Sequence, residues 1–305
     1  MREPDPRPGL RVASAIAVVL VLYSYLGALW LNRHGYSPAT LVAIRDWLNK
    51  PSGISQDFGV LGVAVLLLVA GFRVAQGIPV RRMLVVTVPV LVVAVLVGGA
   101  ARLLGGEPYA GLLWPLAVAA LGTLLALATR RLHPVAGTAV QLVVIGDLVL
   151  FGADGPAALH EAGLLAGFST LFVLGEVIGY VRAHRLPALA GGALGAIAFG
   201  VLIMTDHGYA EWHGYWYPVT ALYAVLIGLL SAPSGQVAGE TALVRWLASR
   251  ALWLIGAACA AGWTVLGLGY QRIPLPVSLV LAVLVTGALA EAGYRFVQRP
   301  LGDAR

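Results

Sequence analysis

The chain has 305 residues, of which 59% are hydrophobic and only 11% are charged, and its mean hydropathy is +0.86. A water-soluble domain cannot cover its surface with so few charged side chains, so the composition excludes that class and indicates a polytopic membrane protein. The high pI does not argue for nucleic-acid binding, because the basic residues fall in short clusters between apolar runs. A single cysteine, Cys259, excludes an internal disulfide.

Ten apolar segments predict transmembrane helices, since crossing about 30 Å of hydrocarbon takes roughly 20 residues. The segments lack the period-two alternation of barrel strands. We therefore predict an all-α integral membrane bundle of about ten helices that forms one domain over residues 1–305, with its first helix kept as an anchor. The predicted spans are residues 10–31, 57–77, 84–104, 111–129, 135–152, 163–181, 187–205, 216–231, 251–270 and 275–296.

The distribution of Lys and Arg predicts the orientation of this bundle. If the N-terminus is cytoplasmic, fifteen of the 20 basic residues fall in inner segments and five in outer ones. Such a bias follows the positive-inside rule and favours an even number of spans. We therefore expect both termini in the cytoplasm and a multi-pass protein of the plasma membrane. The inner connection at residues 231–250 ends in an amphipathic stretch that suits the membrane surface.

Three carboxylates fall within predicted spans, namely Asp147, Glu176 and Glu291. A charge near the bilayer centre costs roughly 2.5–3.5 kcal/mol on the insertion scale, so each needs a reason to be there. One interpretation is a proton relay or a general base that faces a water-filled cavity. The other is a structural carboxylate bound by a neighbouring donor, and the i, i+4 spacing of Glu291 and Arg295 favours that interpretation for Glu291.

Histidine is missing from all the predicted spans. The outer loop TDHGYAEWHGYWYP places His207, Glu211 and His213 close together, but it lacks the HExxH spacing of a zinc enzyme, and we predict no metal site. Its aromatic residues suit a belt at the membrane interface or, alternatively, a platform on which a sugar stacks. These aromatic residues are Trp212, Tyr215, Trp216 and Tyr217.

Four separated stretches resemble, in order, the motifs of the acyltransferase family 3 membrane proteins. FGVLGVAVLLLVAGF at 58–72 is similar to the family's glycine-valine run ending in Ser-Gly-Phe, and RRMLVVTVP at 81–89 resembles its double arginine followed by a proline. LLWPL at 112–116 resembles the His-Leu-Trp-Phe-Leu entry to a later helix, and YRFVQRP at 294–300 resembles the Tyr-Arg-x-x-Glu-x-Pro ending. The resemblance covers essentially the whole chain.

The resemblance implies that an acyl group passes from a cytoplasmic acyl-CoA to a hydroxyl of an envelope glycan or lipid. In this family the first helix carries an arginine and, eleven residues later, a histidine required for transfer. Arg11 supplies the arginine, but the histidine position is Leu22. Because leucine cannot accept a proton, the chain resembles a degenerate member that keeps the scaffold without the usual base. Tyr23, the next residue, has too high an ordinary pKa to be an easy base.

Other departures from the family pattern point in the same direction. The residues that stand where the family has hydrogen-bonding groups are mostly apolar or small. They are Ala70, Leu112 or Leu113, Cys259, Ala260, Trp263 and Gln298.

The candidate site residues follow from the resemblance and from the buried charges. Arg11, with Asp147 or Glu176, would serve in a rearranged catalytic site. Arg73, Arg81 and Arg82 would gather at the cytoplasmic mouth and bind the phosphates of acyl-CoA as donor substrate. The positive-inside rule explains the same arginines without any ligand. We expect no bound cofactor, and we expect contact with the lipid bilayer and with an envelope glycan or lipid acceptor.

Two further functions stay open at this point. The chain is a non-catalytic partner, scaffold or conduit in the assembly of a bacterial cell envelope, or it is a small-molecule transporter coupled through Asp147, Glu176 or Glu291. A transporter function would not explain why the four motifs occur in this order. The oligomeric state is open as well.

Overall fold

The structure is a computed structural model that describes residues 8–54, 57–77, 80–103, 113–209, 217–232, 240–270 and 272–299, without the side chains of residues 80–82, 84 and 85. Within these ranges the regular elements are helices. They are α1 (Pro8–Arg33), α2 (39–52), α3 (Gly59–Ala75), α4 (Val80–Leu103), α5 (Trp114–Thr129), α6 (Pro134–Ala153), α7 (Ala157–Arg182), α8 (Ala188–Gly208), α9 (Tyr217–Ser231), α10 (Ala242–Ser249), α11 (Ala251–Gly269) and α12 (Leu275–Gln298).

The prediction of an all-helical membrane bundle is confirmed. Seven helices in the described ranges are long and apolar enough to cross a membrane, and α3, α5 and α9 are shorter apolar helices. Each predicted span coincides with one helix, while the count of ten spans and the orientation of the termini stay predictions. The predicted amphipathic stretch forms α10, which lies against the first turns of α1.

Helix α7 is the centre of the bundle, because 83% of its apolar window is buried, compared with 22% in α12. It packs against α3, α5, α6, α8 and α9. Its most extensive contact is with α3, where glycines bring the two backbones together. A Cβ atom at Gly71 would overlap the carbonyl oxygen of Phe172, and one at Gly175 would overlap the carbonyl oxygen of Leu68. Small residues are the usual means by which membrane helices approach this closely.

Arginines gather at one end of the bundle. Gln76, just after α3, donates through Nε2 to the carbonyl oxygen of Gly179 near the end of α7, at 3.0 Å. At the same end, Arg11 in α1 forms an ion pair with Glu240 before α10, at 2.5 Å. We call this the arginine end, because its described basic residues include Arg11, Arg73, Arg185, Arg250 and Arg295.

Glu291 has the structural role that its spacing from Arg295 predicts. Arg295 Nε donates to Oε1 at 2.5 Å, and Arg250 Nε donates to Oε2 at 2.7 Å. Trp246 Nε1 also donates to Oε2, at 2.7 Å, so one carboxylate of α12 binds α10 and the junction between α10 and α11. Helix α12 is therefore held at its arginine end by a charged hydrogen-bond network.

We expect the Glu291→Gln substitution to lower the midpoint of thermal unfolding, because the amide keeps the size of the side chain but loses its charge and one acceptor oxygen. Arg295→Gln is the matched control, since the Arg295 side chain is 66% exposed and its pair has little energetic value in water. Unfolding of both variants is measured in the same detergent. An equal effect of the two substitutions would show that the network does not hold α12.

Two histidines lie in helices where connecting loops are predicted. His160 is in the first turn of α7, and His207 is in the last turn of α8. Helix α7 starts earlier than predicted because Pro156 precedes a run of good helix formers, and proline suits the start of a helix. His207 Nδ1 lies 3.0 Å from the carbonyl oxygen of Ile203, within its own helix.

Candidate functional site

Helix α1 contains a wide turn that begins at three consecutive polar residues, Tyr23, Ser24 and Tyr25. Residues Tyr23–Leu29 form a π-helical segment between two α-helical ones. A π turn shifts the register of backbone hydrogen bonds, and such turns occur often at functional sites. Trp263 Nε1 in α11 donates to the carbonyl oxygen of Tyr25 at 2.8 Å. This buried hydrogen bond fixes the segment against α11.

Asp57 lies beside this wide turn, two residues before α3 begins. Its Oδ1 accepts from the backbone N–H of Gly59 at 2.7 Å, and the Ser24 hydroxyl donates to the same carboxylate. Ser24 is fully buried. A Cβ atom at residue 59 would overlap Ser24 Oγ, so the glycine is required for the two helices to meet here. The chain thus pairs a buried serine with a half-buried aspartate.

The surroundings of Asp57 make its carboxylate a stronger base than that of an ordinary aspartate. Burial raises the pKa of its carboxyl group, and the hydrogen bonds from Gly59 and Ser24 and the positive charge of Arg45 only partly offset this effect. A carboxylate with a raised pKa is a better general base than an ordinary one. We call Ser24, Tyr25, Arg45 and Asp57 together the Asp57 cluster.

Tyr25 adds a buried phenol group to this cluster. Its side chain is buried, its ring lies within electrostatic range of Asp57 and Cys259, and its hydroxyl has no hydrogen-bond partner among the described residues. Cys259 lies in a second π turn, Ala258–Gly262 of α11. A buried hydroxyl without a partner is uncommon in proteins and is ready to donate to a ligand. Cys259 is itself buried in the core of the bundle.

An aromatic pocket of about 320 Å³ lies at the same end of the bundle, beyond the Asp57 cluster. Trp30 and Tyr270, from α1 and the end of α11, pack edge to face with ring centroids 5.7 Å apart. Tyr36 packs edge to face on Tyr270 at 6.1 Å, and the exposed Arg272 also lines the pocket. Trp30 follows Tyr25 by about one turn, so this pocket and the cluster share α1.

The arginine end contains Arg73, a predicted donor-binding residue, and Arg11, a predicted catalytic residue. Arg11 and Arg73 come close enough for each guanidinium charge to act on the other. Arg73 Nε is buried and has no hydrogen-bond partner among the described residues. Arg11 is held by Glu240, a partner that the sequence analysis did not name. Arg81 and Arg82 belong to α4, but their side chains lie outside the described residues.

The two predicted catalytic carboxylates have different surroundings. Asp147 is exposed on α6, on the face that also exposes Val143, Val144 and Leu150. Glu176 is only 1% exposed and lies inside the bundle. Asp147 therefore does not share an interior site with Glu176, and the catalytic roles given to Arg11, Asp147 and Glu176 stay predictions.

The Asp57 cluster lies directly after the position where the family resemblance requires histidine. Leu22 is the last residue of the regular α-helical part of α1, and the wide turn begins at the next residue. Tyr23 is the one residue of this stretch considered as a base from the sequence, and Ser24, Tyr25 and Asp57 are not among the predicted site residues. The available signal was the polar trio that interrupts the first apolar run, together with an aspartate just before the second run.

The loop that contains Glu211 and His213 lies outside the described residues, and so do Trp212, Tyr215 and Trp216. Tyr217, the fourth aromatic residue of the predicted belt, is buried, with its ring 4.7 Å from that of Phe168. Tyr217 is therefore a packing residue and not part of an exposed platform. Within the ranges that the structure covers, no group of three or more His, Cys, Asp or Glu side chains is arranged to hold a metal ion.

Comparisons with family models, with characterised proteins and with solved structures find no match to this chain. The resemblance to acyltransferase family 3 therefore rests on the four motifs alone. What the chain does must be inferred from its own geometry.

Proposed function

We propose that the chain is a transmembrane O-acyltransferase in which the carboxylate of Asp57 takes the place of the missing histidine. The observation that carries this proposal is the hydrogen bond from Ser24 to Asp57, with the unpartnered hydroxyl of Tyr25 within electrostatic range of the same carboxylate, directly after Leu22. Helices α1 and α3 then hold arginines at one end and a general base at the other. Arg11 and Ser24 are thirteen positions apart, which corresponds to about 20 Å along a helix.

The arginine end would bind the donor, an acyl-CoA. Two guanidinium groups that repel one another are stabilised by an anion between them, and arginine pairs with phosphate oxygens through two parallel hydrogen bonds. Arg73 contributes a buried N–H without a partner, and Glu240 orients Arg11. The extended arm of CoA would then carry its thioester along α1 toward the cluster.

The transfer step requires a base and a donor to the oxyanion. The acceptor hydroxyl oxygen attacks the thioester carbonyl carbon, and Asp57 takes the hydroxyl proton. The phenol of Tyr25 donates to the oxyanion that develops on the carbonyl oxygen. The carbon–sulfur bond breaks, and the CoA thiolate that leaves is protonated from solvent. The product is an ester of the acceptor.

The aromatic pocket would bind the acceptor, and its chemistry favours a glycan. The apolar face of a sugar ring packs on aromatic side chains, and Tyr36 and Tyr270 offer such surfaces beside the charge of Arg272. The predicted orientation places this end outside the cytoplasm. The acceptor is then an envelope component that never needs to enter the cell.

The proposal is tested by labelled acetyl-CoA added to membranes that contain the chain. We expect label in the glycan or lipid fraction, with release of free CoA. Arg73→Gln should raise KM for acetyl-CoA about ten-fold, because a charge-assisted hydrogen bond is lost. Arg33→Gln, at the other end of α1, is the matched control and should leave KM unchanged. Transfer no greater than in empty membranes contradicts the proposal.

The exposed carboxylate of Asp147 favours a second candidate function, that of a non-catalytic partner in envelope assembly. An acidic side chain on a lipid-facing surface is costly unless another membrane helix offers it a donor. Under this function, Asp147→Leu would abolish complementation of a deletion strain, whereas Asp57→Asn and Arg73→Gln would complement fully. The opposite pattern supports the transferase.

A further inference from the structure

We propose that Glu176 is a proton-binding site inside the bundle, separate from the acyl-transfer site. Glu176 is 1% exposed, and neither of its carboxyl oxygens has a hydrogen-bond partner among the described residues. Its helix packs on α3 through Gly71 and Gly175, which seal that side by backbone contact. An acid so enclosed is stable only when it carries a proton.

The neighbours of Glu176 are polar but uncharged. The amide side chain of Gln141 in α6 lies close to the Glu176 carboxyl group. Its Nε2 atom donates a hydrogen bond to Thr129 Oγ1 in α5, at 2.7 Å. The hydroxyl of Thr129 in turn donates to the carbonyl oxygen of Leu125 at 2.9 Å. Gln141 Oε1 is buried without a partner among the described residues. A protonated carboxyl group can donate a hydrogen bond to such an acceptor oxygen.

The charged groups on the packed helices do not neutralise Glu176. Arg73 on α3 faces Arg11, and Asp147 on α6 is exposed on the outer face. Helix α5 carries no titratable residue between Trp114 and Thr129. The titratable residues of α8 and α9 are Asp206, His207, Tyr217 and Tyr223, which lie toward the end opposite the arginines.

Tyr180 supplies a route for the proton to the arginine end. It follows Glu176 by one helical turn, is half-buried, and lies within electrostatic range of both Glu176 and Arg185. Arg185 Nη1 reaches the carbonyl oxygen of Ala75 at the surface of the arginine end, at 3.4 Å. A proton that leaves Glu176 passes through the Tyr180 hydroxyl to water at this end and returns by the same route.

Infrared spectroscopy of the full-length protein in nanodiscs tests this proposal. We expect the carbonyl-stretching band of a protonated carboxylic acid to persist at neutral pH, to be lost in Glu176→Gln and to be kept in Asp147→Asn. On transfer to heavy water, the band should shift more slowly in Tyr180→Phe than in the wild type. A protonated carboxyl group with a purely structural role would exchange at the same rate in both.

Four outcomes overturn the proposal. Two concern the band itself, namely a wild-type spectrum without it at neutral pH and a band that survives in Glu176→Gln. The third is an equal exchange rate in the wild type and Tyr180→Phe. The fourth is a band that disappears when sodium is added at constant pH, since the site would then bind an alkali cation. The sodium titration uses the wild type alone, so it remains decisive if Glu176→Gln fails to fold. None of these outcomes bears on acyl transfer at Asp57.

Discussion

Replacement of Asp57 by Asn should lower the rate of acyl transfer by about 10²–10⁴-fold, because a positioned general base contributes that much to proton transfer. The amide still accepts the hydrogen bond from Gly59 N, so the loop before α3 keeps its shape. The rate is measured as transfer of label from acetyl-CoA. Asp46→Asn is the matched control: this acid lies in α2, is exposed and pairs with Lys50 at 2.7 Å.

The pH dependence of the same variant separates catalysis from stability. Wild-type activity should fall on the acid side as Asp57 becomes protonated, at a pH above the ordinary aspartate pKa of 3.8, because burial raises the pKa of this group. The folded state then binds more protons than the unfolded state between those two pKa values, so stability decreases as pH rises through that window. Asp57→Asn should remove this decrease and be more stable than the wild type at neutral pH.

Unchanged transfer in Asp57→Asn would contradict the assignment of the base. Loss of both transfer and stability would show instead that Asp57 is a structural residue. Only a variant that is more stable and inactive fits a carboxylate kept ionisable for function.

The second large effect is expected where α3 and α7 meet. Gly71→Val and Gly175→Val each place a branched side chain against a backbone carbonyl group of the other helix. Neither backbone can move without opening the most extensive helix contact in the bundle. We expect each substitution to destabilise the protein by about 3 kcal/mol, the upper part of the usual range for overpacking. Thermal unfolding in detergent and the yield of folded protein measure the effect.

Gly192 in α8 is the control for these substitutions, since a Cβ atom there would meet nothing within 4 Å. Gly192→Ala should leave stability unchanged or raise it slightly, because alanine favours a helix more than glycine does. Similar losses at Gly71, Gly175 and Gly192 would mean that glycine matters for the flexibility of these helices and not for their packing.

Most of the fold could be predicted from hydropathy, because a helix is the only open-ended structure that satisfies its own backbone in lipid. Hydropathy cannot show which helix is central, however. The position of α7 depends on glycines at 71 and 175, and a glycine in an apolar run looks the same whether a neighbouring backbone touches it or not. The partner of Arg11 was equally hidden, since Glu240 lies more than two hundred positions away.

The candidate site could be predicted only in part. The i, i+4 rule identified a partner of Glu291, and the family resemblance pointed to the part of α1 after which the proposed site begins. The proposed base was missed because Asp57 is the first residue of a predicted span and reaches the wide turn of α1 only in three dimensions. Periodicity assumes regular α-helix, so it cannot anticipate the π turn that brings Tyr25 toward Cys259.

Transfer across a sealed membrane tests the central claim most directly. The purified protein is reconstituted into vesicles that enclose a hydroxyl-bearing glycan, and labelled acetyl-CoA is added outside only. The account predicts an acetylated glycan inside the vesicles, formed by the wild type and not by Asp57→Asn. Label that reaches only glycan added on the same side as acetyl-CoA, or no ester at all, would contradict it.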